Sequence, residues 1–79
     1  MVTVLRAHGL RVVIYVNDHE PAHVHVFGDG EAKINLLGAN GLPDLIWADR
    51  ISRGEVRRAM QVVVAQQVAL LARWEEIHG

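Results

Sequence analysis

No cysteine occurs in these 79 residues, which excludes a disulfide framework and a thiolate metal site together and suits a reducing compartment. A domain of this size buries only about 60% of the surface its unfolded chain exposes, so without such staples it commonly gains stability by oligomerising. Aromatic side chains are scarce at 5% while 51% of the chain is hydrophobic, so the core has to be aliphatic. Charge of one sign is missing too: the formal net charge is −1, which gives no global field toward nucleic acid or a membrane. Any basic patch must be local. Apolar runs such as Val62-Val63-Val64-Ala65 fall far short of a membrane span. The opening Met1-Val2-Thr3-Val4-Leu5-Arg6 lacks the apolar stretch and cleavage site of a signal peptide, so a cytoplasmic protein is expected. There is no glycine-rich phosphate loop, no nucleophile elbow and no cysteine nucleophile.

What is present reads as a single α+β domain over 1–79: strands across about 3–48, then a helix over about 53–77. The expected architecture is an antiparallel sheet of four to five strands with one long C-terminal helix packed on one face. Residues 10–16 are rich in β-branched side chains. Residues 3–7 are a plausible partner strand, with His8-Gly9 as a two-residue turn. After the irregular link 17–22, residues 23–27 alternate cleanly and 31–37 follow the turn Gly28-Asp29-Gly30. A three-residue loop there, with Gly30 as the left-handed residue, pairs Val24 with Ile34 and His25 with Lys33. A two-residue loop would set His25 against Ile34 and mix the faces, so the hydrophobic pattern selects the longer one.

That register sorts the strands. Leu5, Val12, Ile14, Val16, Val24, Val26, Ala32, Ile34 and Leu36 form the core face. Arg6, Arg11, Tyr15, His23, His25, Lys33 and Asn35 form the other, with Val4 and Val13 among them. Residues 38–44 read as a loop and 45–48 as a short further strand.

Ser52 with Glu55 three residues on is a capping box, and nothing interrupts the helical pattern from 53 to 77. Its apolar arc is Val56, Met60, Val63, Val64, Leu70, Leu71, Trp74 and Ile77. Gln67 falls within that arc and should be satisfied by a nearby backbone group. Arg53, Arg57 and Arg58 in the first turns, with Glu75 and Glu76 in the last, oppose the helix dipole. On the far side Arg58, Val62, Ala65, Ala69, Ala72 and Glu76 form a narrow stripe. A two-fold axis beside Gln67 would pair Arg58 with Glu76, Val62 with Ala72 and Ala65 with Ala69, so a homodimer through this helix is expected.

The chemistry concentrates in Asn17-Asp18-His19-Glu20-Pro21-Ala22-His23-Val24-His25. His23 and His25, two apart on a strand, project from one face, away from the helix, with His19 near enough to join them. Three readings follow. In the first, His23 and His25 are acid and base, Asp18 or Glu20 orients an imidazole, and Arg6, Arg11 and Lys33, with Tyr15 and Asn35 alongside, hold a phosphodiester of a nucleic acid. In the second, His19, His23 and His25 hold a divalent metal such as zinc. In the third, this face or Arg50-Arg53-Arg57-Arg58 docks a small protein partner without catalysis. The bland alternative is a pair of surface histidines on a solvated face.

The run Tyr15-Val16-Asn17-Asp18-His19-Glu20-Pro21-Ala22-His23-Val24-His25-Val26, followed by Glu31-Ala32-Lys33, resembles the bacterial "domain of unknown function 4160" family. The likeness extends over nearly the whole chain, to a capped helix with a tryptophan like Trp74. Ala22 stands where a second proline is common, and Asn35 where many relatives carry an aromatic residue. The resemblance implies an uncharacterised protein of the kind associated with toxin–antitoxin-type pairs, here the toxin-like member, with His19, His23 and His25 as the site.

Overall fold

The first hairpin is set by two residues that accept left-handed backbone. His8 (φ 53°) and Gly9 (φ 75°) form the turn between β1 (Val2–Ala7) and β2 (Leu10–Ile14), the conformation that suits the twist of a two-residue hairpin. The computed structural model describes residues 2–79. β3 (His23–Phe27), β4 (Glu31–Asn35) and β5 (Asp44–Asp49) complete a five-stranded antiparallel sheet in the order β1-β2-β3-β4-β5. The β3–β4 register is the expected one: Val24 opposes Ile34, Val26 opposes Ala32 and His25 opposes Lys33. Gly30, however, does not have the left-handed backbone assigned to it; a Cβ there would overlap the backbone of Asp49 and Arg50, so close approach explains the glycine. The edge strand expected over 45–48 is present, one residue longer at each end.

The core lies between Leu10, Val12, Ile14, Val24, Val26, Ile34 and Leu36 of the sheet and Ala59, Val62, Val63, Leu70 and Trp74 of the helical layer. Three assignments of face are corrected. Val16 follows the end of β2 and is 55% exposed, outside the core. Val4 turns inward because the pairing shifts between Thr3 and Leu5, so a bulge brings Val4 and Leu5 both against the core. Val13 has the parity of the polar face and is nonetheless fully buried. That face is therefore not uniformly open to solvent.

The helical layer is two helices, not one: α1 (Arg53–Ala65) and α2 (Gln67–His78). The capping box forms as expected, and Glu55 also accepts from the Asp29 N–H, tying the helix start to the β3–β4 turn. The break falls at Gln66, whose N–H reaches Val62 O and Val64 O. A straight helix over 53–77 would run about 37 Å, longer than the 33 Å greatest extent of the molecule. The break lets both halves lie on the sheet. It also shifts the apolar arc: Val64 is 47% exposed, while Ala59 and Val62 enter the core. Burial of Val62 removes it from the proposed dimer stripe, which is therefore not continuous. Gln67 is satisfied as expected, its amide donating to Leu36 O (2.8 Å) and Gly41 O (2.9 Å). Among the described residues no helix is long and apolar enough to cross a membrane.

Candidate metal centre

His23 and His25 begin β3 and share a face, as alternation requires, but they do not stand free on it. His23 is 4% exposed, and its ring lies 5.2 Å from the Trp74 ring of α2 and 5.3 Å from that of His25. The expectation of an exposed pair pointing clear of the helix fails for His23. The reason is its place at the very end of the sheet, where the 15–22 loop and the last turns of α2 close over it. Trp74 Nε1 donates to Glu20 Oε1 (3.3 Å) and His78 Nε2 lies 3.1 Å from Tyr15 O, fixing that loop against the helix. His25 is partly buried: the Tyr15 ring meets it edge-on at 4.7 Å, and Trp47 of β5 lies 6.1 Å away.

The hydrogen bonds orient both imidazoles. His23 Nδ1 lies 2.8 Å from Pro21 O, a carbonyl that can only accept, so Nδ1 carries the hydrogen. Its Nε2 then faces Asp18 Oδ2 at 2.9 Å. His25 Nδ1 donates to Glu31 Oε2 at 2.8 Å, leaving its Nε2 3.6 Å from the same Asp18 oxygen. Two imidazole Nε2 atoms thus converge on one carboxylate. An imidazole lone pair and a carboxylate oxygen at 2.9 Å need a proton or a cation between them. Asp18, His23 and His25 each offer one ligand atom, and these atoms lie within 4.8 Å of one another. Ligands about 2.0–2.2 Å from a common ion and next to each other in its shell are about 3.0–3.5 Å apart. The observed 2.9 and 3.6 Å bracket that spacing.

Several expected site residues lie elsewhere. His19 is exposed and takes no part in the cluster; Asp18 is the third group. Glu20 bonds to Trp74, so Asp18 is the carboxylate that orients an imidazole. Arg6 and Arg11 oppose each other on β1 and β2, and the Arg11 guanidinium lies over the Phe27 ring at 5.2 Å, not over the histidines. Lys33 directly opposes His25, Asn35 opposes His23, and Tyr15 flanks His25. Glu31 was missed, although the register carried the signal: it sits diagonally across from His25 on the same face, within reach of a long side chain. Nothing in the spacing distinguished Asp18 from His19, because the loop's path decides between them.

The family described as a domain of unknown function (DUF4160) matches residues 9–75, and the chain belongs to it. The match spans the loop, both histidines and nearly all of the helical layer. Comparison with curated proteins and with solved structures gave no match.

Proposed function

We propose that the chain is a metal-binding protein in which Asp18, His23 and His25 hold one divalent transition ion and leave coordination positions for water or a substrate. The observation that carries this reading is the shared orientation of the two imidazoles. Each has Nδ1 tied to an acceptor, Pro21 O or Glu31, and each turns Nε2 toward one Asp18 oxygen. Metal-ligating histidines are oriented in this way by outer acceptors, which fix the tautomer and raise the basicity of the free nitrogen. A pair serving only to pack would not require both lone pairs to converge. Two imidazoles and a carboxylate suit zinc, iron, nickel or cobalt, whereas magnesium and calcium prefer all-oxygen sites.

Such an ion would polarise a substrate oxygen and lower the pKa of a bound water, which supplies a nucleophile near neutral pH. Lys33, beside His25 in the neighbouring strand, favours an anionic substrate. Hydrolysis of a phosphodiester by a toxin-like module is the reaction class this chemistry serves, with Lys33 as the phosphate contact and Arg6 and Arg11 outside the site.

The test is metal analysis of protein purified without a histidine tag, followed by zinc titration. One ion per chain is expected, held equally well by His19→Ala and lost in His23→Ala/His25→Ala. Absence of stoichiometric binding, or a need for His19, would reject this ligand set.

A further inference from the structure

We infer that His78, in the last turn of α2, is a positioning residue for the ion held by Asp18, His23 and His25, a role that rests on that ligand set: it fixes the carbonyl on which the Asp18 turn closes. Tyr15 is the first residue after β2, and the Asp18 N–H donates back to Tyr15 O (3.2 Å), closing a four-residue turn. Val16 and Asn17 at its centre are exposed, and so is His19 just beyond it. A turn with so little apolar burial opens readily unless hydrogen bonds tie it down. Tyr15 O has a second donor. His78 Nε2 lies 3.1 Å from it, across 63 positions of the chain. A carbonyl oxygen has two lone pairs and can take both bonds. The oxygen that receives the Asp18 N–H is therefore pinned to the end of α2.

His78 is itself held from two sides. Its Nδ1 lies 3.1 Å from Trp74 O, one helical turn back. Its ring stacks on the Trp74 indole, with centroids 3.8 Å apart and planes 28° from parallel. Both of its partners are carbonyl oxygens, which only accept, so in this geometry each ring nitrogen donates and the ring is an imidazolium. A cation suits the C-terminal end of a helix, where the dipole favours positive charge, and it suits the face of an indole. These hydrogen bonds go to backbone and not to the ligands themselves. His78 therefore acts by placing Asp18, whose carboxylate must reach the Nε2 atoms of both histidines.

Two variants separate the packing of this ring from its hydrogen bonds. His78→Phe keeps a ring on Trp74 and loses both donors. His78→Gln gives up the stack but keeps an amide N–H near the position of Nε2. It can donate to Tyr15 O as Gln67 donates to Leu36 O and Gly41 O. In a competition titration, zinc affinity should fall by about 10–100-fold in His78→Phe, the range for a lost outer-shell partner. His78→Gln should bind close to wild type, and both variants should hold one ion per chain at saturation. In the metal-free chain, amide hydrogen exchange at Asp18 should quicken in His78→Phe and not in His78→Gln. Wild-type affinity and an equally protected Asp18 amide in His78→Phe would overturn the proposal. So would a His78→Gln variant as weak as His78→Phe, since the support would then be the ring and not its donors. A wild type that binds no zinc rejects the ligand set, and the exchange rates then still decide whether His78 holds the Asp18 turn.

Discussion

Replacing Asp18 by asparagine separates a metal ligand from a structural hydrogen-bond acceptor. The asparagine amide N–H can donate to the lone pair of His23 Nε2, so packing around the buried ring is kept. The bond changes from charge-assisted to neutral, a loss of about 0.5–1 kcal/mol at a side chain that is 26% exposed. Metal affinity should respond far more. Removing an outer-shell partner alone typically costs 10–100-fold, so losing a charged ligand should cost about a hundredfold or more. Zinc at a hundred times the wild-type dissociation constant stabilises the folded chain by about 2.7 kcal/mol, and the same concentration would stabilise the variant by about 0.4 kcal/mol. For a domain of this size each kcal/mol is worth about 4–8 °C. Zinc should therefore raise the wild-type melting temperature by roughly 11–22 °C and that of Asp18→Asn by roughly 2–3 °C. Thermal denaturation followed by circular dichroism, with and without zinc, reads both effects. Equal zinc shifts in the two proteins, or none in wild type, would refute the reasoning.

Glu31→Gln should lower zinc affinity by about 10–100-fold with little change in apo stability, since it weakens only the orientation of His25; equal affinity in a competition titration would remove Glu31 from the site. Zinc binding should release protons and weaken as pH falls, because protons compete for the imidazole nitrogens and the carboxylate; calorimetry in buffers of different ionisation heat measures that release. Gly30→Ala should destabilise by about 1–3 kcal/mol, because its methyl group must push apart the β3–β4 turn and the end of β5. A urea midpoint within error of wild type would show that the two segments separate freely.

The pattern of side chains carried the strand register, the capping box and the hairpin turns, because each depends on residues close in sequence. Val24 and Val26 had to enter the core, and that alone put His23 and His25 on the opposite face. Alternation assigns a face but cannot say what covers it. His23 is buried on the nominally open side because a loop and a distant helix close over that end. Val4 escaped for a related reason: a bulge adds one residue to a strand and inverts the parity beyond it. Along the helix, a single break at Gln66 was enough to exchange Val64 for Val62 in the core. Of the candidate site, His23 and His25 are legible in the sequence; the spacing marks Asp18 only as an orienting group, and its convergence with both imidazoles depends on the path of a loop.

The bonds that hold the Asp18 loop against α2 join residues far apart along the chain: Trp74 to Glu20 across 54 positions and His78 to Tyr15 across 63. Contacts of such separation form late, because the entropy of closing a long loop must be met before they contribute. The β-hairpins can be in place while the cluster is still unmade. During synthesis, the loop bearing Asp18 has no helix to rest on until the final turn of α2 has emerged. A chain whose α2 has not yet docked therefore displays its histidines before it has the means to hold them and Asp18 in one geometry.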